Sequence, residues 1–174
     1  MPENHIIDVG AVEATFRNLV LPMGLRVDTV HIAAEGLHFE TEPFQASVKQ
    51  PGQFDVFVGE AALSEFLNKK APGNVRKFRV KAINGKLDVQ ASVIMLIELP
   101  ATALCTLKIV DKRYLYVELE SVNVMGAGAT SLVQSQLEKI NPVLDVEEFP
   151  VRASLDSVQI VDGGVRLVGT VAPP

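Results

Sequence analysis

Phe78-Arg79-Val80-Lys81-Ala82-Ile83-Asn84-Gly85-Lys86-Leu87-Asp88-Val89 is the stretch whose reading decides the architecture. Apolar and polar residues alternate on both sides of an Asn-Gly pair. That pairing is the strongest short hairpin signal, because both central residues of the favoured two-residue turn need positive φ. With Asn84-Gly85 as the loop, Ala82 faces Leu87, Val80 faces Val89 and Phe78 faces Ala91, all on one face. The other face sets Lys81 against Asp88 and Arg79 against Gln90. A slip of one residue would mix the two faces, so the register is strongly specified.

The same grammar recurs to either side. Val158–Leu167 turns at Asp162-Gly163, which pairs Ile160 with Val165 and Val158 with Leu167 in a hairpin over 152–171. Residues 104–124 read as a hairpin turning at Asp111-Lys112-Arg113. Residues 26–42 read as another, in which a Glu35-Gly36 loop sets Ala34 against Leu37 and Ile32 against Phe39. Residues 44–58 read as a further pair of strands around Pro51-Gly52.

Three segments change period. Val9, Val12, Phe16, Leu19 and Val20 fall on one helical stripe, which predicts a helix over 9–20 stopped at Leu21-Pro22. Ala62, Leu63, Phe66 and Leu67 predict a second helix over 60–70, with Lys69 and Lys70 at the end where cations suit the dipole. Val133, Leu137, Ile140 and Leu144 share one face of a third, over 131–144. There Ser131 and Gln134 have capping-box spacing, and Pro142 bends or ends the helix. Few helices among many hairpins predict an α+β fold, with helices packed on an antiparallel sheet.

A chain of 174 residues suits one domain spanning 1–174, with a weak seam near Leu99-Pro100. At this length about 70% of the unfolded surface is buried, enough for a substantial core. The net charge of −5 argues against a nucleic-acid binder, whose footprint is basic. Cys105 is the only cysteine, which excludes an internal disulfide and a cysteine-rich metal site, and its apolar surroundings predict a buried, inert thiol. The start, Met1 to Asp8, has neither the basic nor the apolar region of a secretory signal. The apolar run Val93 to Ile97 is far too short to span a bilayer. The expectation is a soluble, cytoplasmic protein. A chain from which an export signal has been removed reads the same way.

The second half has a further order. A helix carrying Leu67-Asn68 is followed by a basic strand, Asn84-Gly85, two strands, the Asp111 turn, a strand, a helix ending Ile140-Asn141-Pro142, Asp162-Gly163 and a strand ending at Gly169. This order resembles the LmeA-like phospholipid-binding family, whose members look like relatives of the tubular lipid-binding fold and are often exported or membrane-tethered. Gly36-Leu37 extends the resemblance into the first half. The resemblance implies a strongly curved antiparallel sheet wrapped round a long helix, with additional short helices and acyl chains in an apolar groove between helix and sheet. Lipid contacts would come from Phe78, Val80, Leu87 and Val89 on the sheet and from Val133, Leu137, Ile140 and Leu144 on the helix. The implied partner is a phospholipid or fatty-acyl ligand, and no catalytic residue is implied. Periodicity cannot tell such a groove from a filled core, and without the resemblance the filled core is the preferred reading, the mark of a structural or interaction module without ligand.

Lys69, Lys70, Arg76, Lys77, Arg79, Lys81 and Lys86 follow one another without an intervening acid. Lys77, Arg79 and Lys81 alternate with apolar residues and share a sheet face, so they are candidates for headgroup or peripheral membrane contact. The alternative is a solvated face with a Lys81–Asp88 cross-strand pair. His31 and His38, set near Glu40 by the 26–42 hairpin, form at most a weak zinc arrangement and read better as polar surface. Met125-Gly126-Ala127-Gly128-Ala129 matches no phosphate fingerprint and reads as a strand-to-helix connection. No nucleophile elbow, P-loop, dinucleotide-binding glycine pattern or metalloprotease motif occurs, so no cofactor and no metal is expected. A small hydrolase or thioesterase would need a buried carboxylate or histidine at a pocket mouth, and no pair of residues commits to one.

Overall fold

The computed structural model describes residues 5–41, 44–71, 73–124, 129–149 and 151–173. Among these residues eleven strands and two α-helices follow in the order β1 (Ile6–Val20), β2 (Arg26–Thr41), β3 (Phe44–Val48), β4 (Gly52–Gly59), α1 (Glu60–Lys70), β5 (Val75–Ile83), β6 (Lys86–Ile94), β7 (Glu98–Val110), β8 (Tyr114–Val124), α2 (Ala129–Ile140), β9 (Leu144–Asp145), β10 (Ala153–Val161) and β11 (Gly164–Val171). One sheet runs β1-β2-β4-β11-β10, with β3 also on β2. The other runs β5-β6-β7-β8-β9. Every pairing is antiparallel. Leu99 and Pro100 stand inside β7, opposite Val93 and Ser92.

The hairpins with short polar turns have the expected registers. Ala82 pairs with Leu87, Val80 with Val89, Lys81 with Asp88 and Arg79 with Gln90. Ile160 pairs with Val165, and Val158 with Leu167. One pair differs. A bulge between Arg76 and Arg79 removes the Phe78–Ala91 partnership, and Lys77 takes a φ of 60° there. The extra residue turns Arg76 and Lys77 both outward and brings Val75 onto the same face as Phe78 and Val80.

The predicted helix over 9–20 is strand β1. Its stripe fits either period, but Ile6, Ile7, Val9, Val12, Thr15 and Val20 are β-branched and Gly10 is a poor helix residue, and β2 offers a ladder along its whole length. Consequently 26–42 is no hairpin: β2 passes straight through Glu35-Gly36, and Ala34 and Ile32 face Val12 and Ala14 of β1. Gly36 is needed for close approach. Its φ is 65°, its carbonyl accepts from the Lys49 N–H at 2.8 Å, and a Cβ there would lie 2.7 Å from the Lys49 Cβ. β3 and β4 are two strands as read, but each pairs with β2 rather than with the other.

Among the described residues no long helix is wrapped by the sheet. α1 has 11 residues and α2 has 12. α2 begins at Ala129, ahead of the Ser131 capping signal, and ends at Ile140. There the Asn141 side chain bonds the Val117 backbone and Pro142 has no N–H to give. Leu144 is therefore not on the helix face but on β9, opposite Leu115. The segment 125–128 lies outside the described residues.

Candidate functional site

The inward faces of the two sheets meet where Val165 of β11 packs with Val80, Leu87 and Cys105, and stand apart elsewhere. They enclose a cavity of about 450 Å³, which α1 and α2 also border. On β5 and β6 the register places Val80 and Leu87, both buried, beside Phe78 and Val89 on its wall, and the bulge adds Val75. On α2, Val133, Leu137 and Ile140 face it at helical spacing, with Leu144 of β9 just beyond. All eight residues proposed for lipid contact thus border one space, together with Phe54, Val56, Leu167 and others from the first sheet. Among the described residues, its lining carries neither a histidine nor a carboxylate. The polar side chains there are Lys70, Thr102 and Gln136, besides the Cys105 thiol.

Burial pushes the Cys105 thiol up to about 11, so it stays protonated and unreactive near neutrality. Lys70 and Thr102 are solvent-exposed as well as lining, which marks them as points where the cavity meets water. Lys70 continues the α1 stripe of Leu63, Phe66 and Leu67 by one more helical step. That spacing was present in the sequence, but a lysine at a helix C-terminus is already accounted for by the dipole.

The basic strand lies outside this space. Lys77, Arg79 and Lys81 are exposed on the outer face of β5. Lys77 Nζ lies 2.6 Å from Glu98 Oε1, Arg76 Nη2 lies 2.9 Å from Glu98 Oε2, and Lys81 Nζ lies 3.0 Å from Glu60 Oε2. Among the described residues Arg79 makes no ion pair. The two cations hold the Glu98 carboxyl down at about 2. Lys81 passes over Asp88, its cross-strand neighbour, whose Oδ1 is enclosed without a partner.

The histidines do not meet as the misread hairpin placed them. His31 Nδ1 lies 3.0 Å from Thr15 Oγ1, and His38 Nδ1 lies 3.0 Å from Asp8 Oδ1. Among the described residues no cluster is suited to hold a metal ion, and no helix is long and apolar enough to cross a membrane.

Residues 8–170 match the family model described as LmeA-like phospholipid-binding. No curated protein and no solved structure matches the chain.

Proposed function

This chain belongs to the LmeA-like phospholipid-binding family, and from that premise we propose that it binds a phospholipid or other acyl-chain lipid, without catalysis, in the apolar space between its helices and its curved sheets. The observation that carries the reading is the cavity of about 450 Å³ with an almost wholly aliphatic and aromatic lining. Its size falls within the usual range for small-molecule sites.

Energetics favour an occupant. A long acyl chain gains about 0.8 kcal/mol per buried methylene, on the order of 10 kcal/mol before ordering costs. Aliphatic walls left against water or empty space forgo that gain. Phe78, Val80, Leu87, Val89, Val133, Leu137, Ile140 and Leu144 would line the acyl chain, and Lys70 would meet a headgroup phosphate where the cavity opens. Arg79 would face an anionic membrane during loading, with Lys77 and Lys81 partly neutralised by Glu98 and Glu60.

Native mass spectrometry and mild solvent extraction of the purified protein test this directly. Recovery of a stoichiometric phospholipid or fatty acid is the expected result. An empty protein that also fails to take lipid from liposomes of any charge would instead support a structural module.

A further inference from the structure

Three hairpin turns of this protein are polar: Asn84-Gly85, Asp111-Lys112-Arg113 and Asp162-Gly163. That is the ordinary chemistry of an exposed turn. The turn between β6 and β7 is Met95-Leu96-Ile97. It is closed by the Met95 N–H donating to the Ile97 carbonyl at 3.1 Å. Leu96 is fully exposed, and Met95 and Ile97 are about half and two-thirds exposed. Three adjacent aliphatic side chains held in water at a tip mark a contact with something apolar.

The surroundings identify the partner. Arg76 and Lys77 stand beside the base of the turn, both on Glu98, so two cations meet one carboxylate there. The Ile94 N–H at that base donates to the Asn74 carbonyl at 2.7 Å, which fixes the start of β5 against the tip. The wall of the cavity leads to the same place. Leu87, Val89, Ala91 and Val93 line it in alternation along β6, and Met95 is the next residue in that alternation. An apolar point flanked by two cations that share one carboxylate, and continuous with the acyl-chain wall, is complementary to a bilayer carrying anionic phospholipid, whose surface attracts the excess positive charge and whose acyl region receives the aliphatic side chains. We propose that the β6–β7 turn inserts into the membrane and sets the end of the cavity against it. This rests on the lipid-binding reading and names the part of the protein that makes the membrane contact.

The chain contains no tryptophan, so Leu96→Trp supplies a single tryptophan, excited apart from the two tyrosines, at a position whose side chain packs on nothing. Vesicles of phosphatidylcholine, with and without phosphatidylglycerol, are titrated into this variant. The expected result is a blue shift of emission, tighter with phosphatidylglycerol and weakened by salt, and quenching by lipids brominated in the acyl chain. In parallel, Leu96→Glu lowers vesicle cosedimentation about tenfold or more, as expected for losing one buried leucine. Emission that stays unshifted while the protein cosediments overturns the proposal, because contact is then made elsewhere. A blue shift that appears on raising protein concentration without vesicles also overturns it, in favour of self-association. Native mass spectrometry on the same sample reads the cavity separately. Lipid retained with no shift sinks only the insertion, whereas a shift with no lipid ever bound sinks only the cavity reading.

Discussion

Asn68 treats Phe78 as a neighbouring strand would. Its Nδ2 donates to the Phe78 carbonyl at 2.9 Å, and its Oδ1 accepts from the Phe78 N–H at 2.9 Å. Ser64 Oγ accepts from the Val80 N–H at 2.9 Å, and Glu60 Oε1 from the Ala82 N–H at 2.8 Å. Four residues of helix advance about 6 Å, and two residues of strand about 6.6 Å. Side chains at every fourth position of α1 therefore match every second N–H of β5. The helix closes a sheet edge that would otherwise invite another strand.

Asn141 repeats the arrangement at the end of α2, donating to the Val117 carbonyl at 2.8 Å and accepting from its N–H at 2.9 Å. The two sites differ in burial. Asn68 and Phe78 are bonded at an exposed position, where water replaces a lost partner, whereas the Asn141 pair is partly buried. Asn68→Ala should cost about 1 kcal/mol and Asn141→Ala about 2 kcal/mol in urea unfolding. Equal costs, or the reverse order, would contradict this account of the burial difference.

These particulars show what was legible. The β5–β6 register could be read because a turn that accepts almost only Asn-Gly coincides with strict alternation. The bulge could not, since Arg76-Lys77-Phe78 gives no sign that Lys77 will adopt positive φ until Asn68 is seen gripping the next residue. β1 was misread because its apolar spacing satisfies a helix, and what decides otherwise is the distant ladder with β2. Leu144 fell on the helical stripe, although a chain reversal at Asn141 and Pro142 carries it onto β9. Its place on the cavity wall survives, because β9 continues the same inner surface. Whether those apolar faces meet or stand apart is a matter of sheet curvature, which periodicity does not encode.

Gly169 stands opposite Phe54 in the ladder between β11 and β4, next to the bulge between Leu155 and Ser157. A Cβ at 169 would overlap the Phe54 ring on one side and the Ser154 carbonyl oxygen on the other. The ring is itself held edge-on by Phe149, with centroids 6.3 Å apart. Neither neighbour is the free end of a flexible side chain. Gly169→Ala should therefore destabilise the protein by about 1–3 kcal/mol, visible as a lowered thermal midpoint, despite alanine's better intrinsic propensity. A neutral or stabilising result would mean that Phe54 repacks freely.

Ala103 lies on the cavity wall between Val89 and Val122 in the ladders of β7. A larger side chain there grows into existing space rather than into packed atoms. Ala103→Phe should reduce copurifying lipid several-fold while unfolding stays cooperative and the midpoint falls little. The same substitution in a filled core would cost about 1–3 kcal/mol through overpacking. Lipid content by mass spectrometry, read beside a melting curve, separates the two cases.

The edge strand β1 is fastened to β2 partly through His38 and Asp8, whose contact of 3.0 Å spans a register pair. Asp8 holds the His38 pKa above its ordinary value, with Glu40 contributing at 3.5 Å. His38, with Lys49 at 3.4 Å, holds Asp8 below its own. The signs fix a window. A raised histidine stabilises the fold fully below its unfolded value of about 6.5, and that contribution is lost as pH rises through the raised folded value. A lowered aspartate contributes fully above about 3.9, and that part is lost as pH falls through the lowered value. Protection of β1 amides such as Ile7 and Val9 against hydrogen exchange, corrected for the intrinsic rate, should be greatest between these limits and should decline toward alkaline pH. Lys49 keeps part of the Asp8 contact after His38 loses its proton, so the decline is partial. His38→Gln should remove it. Protection factors that stay level from about pH 5 to about pH 9 in the unsubstituted protein would show that the ladder alone secures the strand.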